Sequence, residues 1–330
     1  MTYDMNLPSN HSNIDFQEGK LNHLLDVDSL SLNSIENLIQ STDLAKKNFV
    51  SKTKIPTLKG KTIVNIFFEN STRTRVSFEQ AGKLLSADFI NVNIPSSSMT
   101  KGESILNTIK TIQSIGMDCL IVRHHHSGVP YLIARNVNVP VINAGDSMHA
   151  HPTQSLTDIY TIRTELGEIK NKKILIIGDV KHSRVARSNI NLLVRLGANI
   201  TVAAPTTLLP DSWVVQNNTR NLKRVKIISH YLKMESKLAK SDLVMLLRIQ
   251  KERLDQGCLP DLDEYSKLWG LSKSRFYNLC PKIYIMHPGP VNEGVEIDSE
   301  ILSLNNSLID QQVENGVPMR MSVLEFCILK

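Results

Sequence analysis

Short apolar runs alternate along this chain with stretches of helical period, and that alternation restricts the fold more than any other feature. Ile63 to Phe68, Phe89 to Val92, Cys119 to Val122 and Val141 to Asn143 are such runs, and a second series begins at Lys172 with Lys173 to Asp179, Asn199 to Ala204, Val225 to Ile228, Leu243 to Leu247 and Ile283 to Met286. Runs that are apolar at successive positions are buried on both faces, which is the signature of parallel strands covered by helices. The expected class is therefore α/β, with two lobes, each a parallel sheet flanked by helices, and a C-terminal helix over Gly316 to Leu324 that crosses back to the first lobe. A helix is expected from about Asn33, where Asn33-Ser34-Ile35-Glu36 resembles a capping box, with Ile35, Leu38, Ile39 and Leu44 on its apolar face. Another, from Pro152 to Glu165 with the stripe Leu156, Ile159, Tyr160 and Ile162, is the natural connector between lobes.

The first strand leads into a turn with chemistry. After Phe68 the chain reads Glu69-Asn70-Ser71-Thr72-Arg73-Thr74-Arg75, and beyond it Val76, Phe78, Ala81, Leu84 and Leu85 recur at helical spacing. The hydroxyl and guanidinium run thus sits at a helix N-terminus, where outward N–H groups and the positive dipole end favour an anion. Ser71 and Thr72 can cap the helix or donate to phosphate oxygens. A plain N-cap with solvated arginines is the blander reading, and the density of hydroxyls and arginines tells against it.

Composition narrows the partners. A chain of 330 residues, 41% hydrophobic and 21% charged, has enough apolar material for one or two domains with sizeable cores. The net charge of +6 fits small anionic substrates better than nucleic acid, because basic residues are scattered and aromatics make up only 5%. Cys119, Cys258, Cys280 and Cys327 lie far apart, which argues for reduced packing thiols in a cytoplasmic protein. Met1 to Glu18 is polar and reads as a loose leader, and no later run is expected to span a membrane. The unit opening at Lys173 invites a dinucleotide reading, but Gly178 is followed by Asp179-Val180-Lys181-His182-Ser183, without the further glycines a pyrophosphate needs.

Ligands of open α/β sheets bind beyond the carboxyl ends of strands. Those ends carry Arg123 with His124 to His126, then Asn143 through His151-Pro152-Thr153-Gln154, then Arg248-Ile249-Gln250-Lys251-Glu252-Arg253, and His287-Pro288-Gly289-Pro290. Arginine, histidine and glutamine so placed suit carboxylates, phosphate and a polarised carbonyl. The three adjacent histidines read as a solvated loop and not a metal cluster, since neighbouring side chains cannot all face one ion.

In order along the chain, Ser-Thr-Arg-Thr-Arg at 71–75, Ser-x-x-x-Lys-Gly-Glu at 97–103, His-Pro-Thr-Gln at 151–154, Arg-x-Gln-Lys-Glu-Arg at 248–253 and His-Pro-Gly-Pro at 287–290 resemble the catalytic chain of the aspartate transcarbamoylase family, from about Leu24 to the last residues. The ornithine-specific relatives share the first and third motifs but carry a late His-Cys-Leu-Pro, where this chain has Pro288. The resemblance implies a carbamoyl-phosphate-binding domain over 1–151, completed by a C-terminal helix over 307–330, and an aspartate-binding domain over 152–306. It implies attack of the L-aspartate amino group on carbamoyl phosphate in pyrimidine synthesis, with no metal and no organic cofactor.

The same resemblance assigns roles. Ser71, Thr72, Arg73, Thr74 and Arg123 would hold the phosphate, Arg73 also neutralising the leaving oxygen; His151, Thr74 and Arg123 would donate to the carbonyl oxygen; Gln154 and the carbonyls of Gly289 and Pro290 would fix the carbamoyl NH₂. Arg184, Arg248 and Gln250 would take the aspartate carboxylates, with Lys101 bridging both substrates. Ser97 and Lys101 would come from the neighbouring subunit of a homotrimer with shared sites, and Glu69 would pair with Arg184 and Arg253 on domain closure. A regulatory chain or another pathway enzyme is left open as a partner. In many members the late motif continues Asn-Arg-Gly-Val-Glu-Ile, whereas this chain has Glu293 in place of the cation, which bears on aspartate affinity. The alternatives are carbamoyl transfer to another amine, a catalytically silent structural relative, and a basic nucleic-acid module; the presence of Arg73, His151 and Lys101 argues against silence.

Overall fold

A computed structural model of the chain describes residues 22–92, 104–211, 225–250 and 261–329. Two compact units divide it, the first holding the described residues up to Tyr160 and again from Glu314, the second holding Thr161–Val313.

The first unit opens with α1 (Leu32–Val50), capped by Ser31, whose Oγ accepts from Ser34 N at 2.9 Å. The cap therefore lies two residues before the expected Asn33. Leu44 is exposed, and Thr42 and Ala45 complete the buried stripe instead, because at 3.6 residues per turn Leu44 falls about half a turn out of phase with Ile35. There follow β1 (Thr62–Phe67), α2 (Thr72–Leu84), β2 (Asp88–Val92), α3 (Ile105–Gly116), β3 (Cys119–His124), α4 (Val129–Ala134) and β4 (Val141–Asp146). Val76 on α2 is exposed for the same phase reason, while Phe78, Ala81 and Leu84 are buried. The strands are parallel in the order β2-β1-β3-β4. Val64 and Ile66 of β1, Leu120 and Val122 of β3 and Val141 pack with Ile109 of α3 and Ile133 of α4 as one core.

Helix α5 (Pro152–Leu166) carries the chain from the first unit into the second. Its expected apolar positions are buried, and so are Thr153, Ser155, Thr157, Asp158 and Thr161. An amphipathic helix would expose such residues. Their burial needs internal partners, and Thr157 Oγ1 supplies one by donating to Thr153 O at 2.8 Å.

The second unit runs through β5 (Lys173–Ile177), α6 (Arg184–Arg195), β6 (Asn199–Ala203), β7 (Val225–Ile228), α7 (Tyr231–Leu238), β8 (Leu243–Leu246), α8 (Leu262–Trp269), α9 (Lys273–Leu279), β9 (Tyr284–Met286) and α10 (Ser299–Leu302). Its parallel strands stand in the order β7-β6-β5-β8-β9. The final helix, α11 (Ile309–Ile328), starts earlier and ends later than the sequence pattern suggests, with Pro318 inside it. It returns to the first unit, where Thr42 Oγ1 of α1 lies 3.1 Å from Ser322 Oγ.

Both sheets reverse their strand order once, between β1 and β3 and between β5 and β8. At such a point the connections leave the two neighbouring strands in opposite directions and open a crevice beyond their carboxyl ends.

Candidate active site

In the first unit that crevice is lined by the end of β1 and the end of β3. Phe68 N donates to Arg123 O at 2.9 Å, so the turn after β1 is bonded to the strand that carries Arg123. Ser71 is the N-cap of α2, with an extended backbone and no side-chain cap hydrogen bond, which leaves its hydroxyl uncommitted to the helix. The helix start turns its first N–H groups and its positive dipole end outward beside Thr72, Arg73 and Thr74. Thr74 is buried and Arg73 exposed. Arg123 is held by an Nη1 bond to Ala144 O at 3.2 Å and by Glu69, whose Oε2 lies 3.3 Å from Nε.

His151 is buried at the end of the segment that follows β4, and Gln154 lies half-buried on the first turn of α5. What shapes that segment is Asp146, a fully buried residue to which the sequence reading gave no role. Its carboxylate accepts from Asn143 Nδ2 at 2.9 Å, Gly128 N at 2.9 Å and Ala150 N at 3.0 Å, and pairs with His149 Nδ1 at 3.0 Å. Its backbone N–H donates to Ala150 O at 3.1 Å, closing the segment on itself. An aspartate in an Asn-Ala-Gly-Asp-Ser turn at a strand end is the signal that could have pointed to it.

The histidine run is only partly a solvated loop. His125 and His126 are exposed, but His124 is buried, with its ring 4.6 Å from that of Phe68 and its Nδ1 accepting from His126 N at 2.8 Å. Among the described residues no group of three or more His, Cys, Asp or Glu side chains could hold a metal ion. Burial, with the like charges of His125 and His126 adding to it, lowers the His124 pKa from 6.5 to about 4. The unfolded chain therefore binds a proton that the folded chain refuses as pH falls below 6.5. Stability should drop by up to about 3 kcal/mol between pH 6.5 and 4 and level off below. Urea unfolding across that range should show this slope in the native chain and a shallower one in His124→Asn; equal slopes would assign the acid sensitivity to other groups.

In the second unit the crevice lies beyond β5 and β8. Gly178 leaves β5 at φ +122°, and a Cβ there would stand 2.8 Å from Leu247 O, so this glycine serves the close approach of two strand ends. His182, buried, pairs with Asp179 at 2.8 Å and offers its carbonyl to Gln250 Nε2 at 3.2 Å. Arg184, 7% exposed, begins α6 behind the cap Ser183, whose Oγ accepts from Ala186 N at 3.1 Å. The Arg248–Gln250 segment is tethered by Glu296, a buried carboxylate that accepts from Ile249 N at 2.8 Å and from Asn292 N and Nδ2, each at 2.7 Å. Burial pushes the Glu296 pKa up, opposed by these donors and by Arg248. His287 serves its turn, Nδ1 accepting from Gly289 N at 2.8 Å, next to Pro290. Glu293, exposed, accepts from Ser299 Oγ at 2.6 Å, so its charge is engaged within its own loop. The first unit thus brings Ser71 to Thr74, Arg123, Glu69, His151 and Gln154 to one sheet end, and the second does the same for Arg184, Arg248, Gln250, Gly289 and Pro290. Ser97, Lys101, Arg253 and Cys258 lie outside the described residues. Cys119, Cys280 and Cys327 are buried free thiols.

Known proteins are similar to this chain over nearly its whole length. The profile of the aspartate/ornithine carbamoyltransferase carbamoyl-P binding domain matches residues 22–164, and that of the family's Asp/Orn binding domain matches 170–327. The aspartate carbamoyltransferase catalytic subunit of Opitutus terrae is 47% identical over 307 residues, covering 92% of this chain and 94% of its own; that of Roseiflexus sp. is 45% identical over 310 residues, covering 92% and 93%. Aspartate transcarbamoylase from Trypanosoma cruzi in complex with N-(phosphonacetyl)-L-aspartic acid superposes with a TM-score of 0.85 at 29% identity, over 94% of this chain and 97% of that one. The catalytic subunit of M. jannaschii aspartate transcarbamoylase gives 0.78 at 31% identity, over 92% and 96%. With both domain profiles matched in order across nearly the whole chain, this chain belongs to the aspartate/ornithine carbamoyltransferase family.

Proposed function

We propose that the chain transfers the carbamoyl group of carbamoyl phosphate to the α-amino group of L-aspartate, giving N-carbamoyl-L-aspartate and phosphate, as an early step of pyrimidine synthesis. The observation that carries this reading is the division of charge chemistry between the two sheet ends. One presents a helix start with hydroxyls and arginine for a phosphate, and the other presents Arg184, Arg248 and Gln250, which suit a dicarboxylate. Relatives support the choice of acceptor, since the T. cruzi enzyme has been crystallised with carbamoyl phosphate and aspartate together.

The residues divide the work as follows. Ser71, Thr72 and Thr74, with the first-turn N–H groups of α2, hold the phosphate oxygens, and Arg123, pre-set by Ala144 O, adds charge. As the amine attacks, the C–N bond forms and the carbonyl oxygen gains charge; His151, Thr74 and Arg123 donate to it. Gln154, with the carbonyls of Gly289 and Pro290, accepts from the carbamoyl NH₂. The C–O bond to phosphate then breaks, Arg73 meets the charge on the leaving oxygen, and the departing phosphate takes the amine proton. Arg184, Arg248 and Gln250 fix the two carboxylates and reject the cationic side chain of ornithine. The chain works as a cytoplasmic homotrimer in which Ser97 and Lys101 of a neighbouring subunit complete each site, Lys101 bridging both substrates. Closure of Glu69 onto Arg184 and Arg253 excludes water. Among the described residues no helix is long and apolar enough to cross a membrane.

Purified protein supplied with carbamoyl phosphate and either L-aspartate or L-ornithine tests the reading directly. Ureido product is expected with aspartate alone. Product with ornithine would move the acceptor assignment, and none with either amine would favour the silent structural relative.

A further inference from the structure

Gln154 sits one helical turn before Asp158 on α5, and the two side chains meet: Gln154 Nε2 donates to Asp158 Oδ1 at 2.8 Å. Asp158 is fully buried, which is costly for a carboxylate on a helix unless its charge and lone pairs are answered. The answering cation comes from α11. Arg320 is 4% exposed, its Nη1 donates to Gly316 O at 2.7 Å, and its guanidinium lies 5.2 Å over the ring of Phe78. A Cβ on Gly316 would stand 2.7 Å from that Nη1, so the guanidinium is confined from that side. Burial lowers the Arg320 pKa to about 10, with Asp158 opposing the fall, and the group stays cationic at neutral pH. Phe78 belongs to α2, the helix whose start carries Ser71 to Thr74.

We infer that Asp158 is a positioning residue for the carbamoyl group: it holds the Gln154 amide with nitrogen turned inward, leaving the amide oxygen as the atom presented to substrate. This rests on the reading of Gln154 as a carbamoyl ligand. An amide has a donor end and an acceptor end that differ little in shape, whereas an ionised carboxylate only accepts, so contact with Asp158 selects one of two orientations. The carbamoyl NH₂ of the substrate only donates. With the amide reversed, two NH₂ groups would face each other and the contact would repel. The Arg320 charge, seated over Phe78 and felt by Asp158, thereby links the C-terminal helix to a substrate contact.

A purely structural role for Asp158 would predict something different, and three variants separate the two. Asp158→Asn, Gln154→Ala and the double variant are each assayed for the KM of carbamoyl phosphate and for inhibition by inorganic phosphate, which offers no NH₂. Asp158→Asn is expected to raise the carbamoyl-phosphate KM about 10-fold while phosphate inhibition stays within about 2-fold, and to add nothing on the Gln154→Ala background, because an interaction acting through Gln154 vanishes with it. A parallel loss of phosphate inhibition, or additive losses in the double variant, would overturn the inference. Should Gln154→Ala leave the KM unchanged, the ligand reading itself fails and the inference with it; should Gln154→Ala raise the KM and Asp158→Asn not, only the inference fails. If Asp158→Asn does not fold cooperatively, native protein labelled with ¹⁵N-glutamine supplies the measurement. The Gln154 side-chain signal, identified by its loss in Gln154→Ala, should exchange with solvent more slowly than exposed glutamine amides, and fast exchange would sink the proposal.

Discussion

Arg73→Ala is expected to lower kcat about 10²- to 10³-fold, the cost of removing one donor if, as proposed, it meets charge that develops only in the transition state. The side chain is exposed, so its loss opens no cavity and the melting temperature should hold. The KM for aspartate should change little, since the residues proposed to bind the acceptor are others. Arg73→Lys should recover only part of the rate, because an ammonium supplies a point charge without the planar fork that meets two phosphate oxygens. Steady-state kinetics with both substrates varied checks this. A drop in kcat smaller than about fivefold would remove Arg73 from leaving-group stabilisation, given the usual magnitude of such contributions.

Glu296→Ala should damage stability and aspartate binding together. The substitution deprives Ile249 N and Asn292 N of their acceptor and leaves Asn292 Nδ2 only its 3.4 Å bond to Ile249 O. Each buried donor left unpaired costs about 1–3 kcal/mol, and water entering the space offsets part of the sum, so a loss of roughly 3 kcal/mol is expected. The functional effect follows from position. Ile249 lies between Arg248 and Gln250, so freeing its backbone N–H releases the segment proposed to clamp the dicarboxylate. The KM for aspartate should rise at least about 10-fold, the equivalent of about 1.4 kcal/mol of lost positioning. Inhibition by inorganic phosphate, proposed to bind in the first unit, should stay. Glu296→Gln, isosteric with one donor facing another, should show the same pattern more weakly. Urea unfolding alongside the kinetics decides the matter: lost stability with an unchanged aspartate KM would make Glu296 a packing residue only.

The strands were readable because buried parallel strands write themselves as unbroken apolar runs: Ile63 to Phe68 matches β1 within a residue at each end, and Lys173 to Asp179 starts with β5 and overruns its end by two residues. Helix phase was less secure. Leu44 and Val76 are apolar yet exposed, since a hydrophobic residue outside costs little and a pattern cannot say which face wins. The buried polar positions of α5 were not legible as buried, because nothing in the sequence of Ser155, Thr157 and Asp158 shows the partners that surround them. Asp146, Asp158 and Glu296 escaped for the same reason: a carboxylate in sequence is an ordinary surface residue, and only the donors gathered around it reveal a fixed hub.

The sequence by itself determined the α/β class, the turn of hydroxyls and arginine at Ser71 to Thr74 ahead of a helix, and the family, because these depend on local period and on motifs contiguous in the chain. Tertiary structure alone decided which strand ends are neighbours. Nothing local states that β3 lies beside β1 or that β8 lies beside β5, since strand order is a matter of how distant segments pair. Yet that order brings Arg123 to the turn after β1 and sets Gln250 against His182, and the return of the last helix places Arg320 within the field of Asp158.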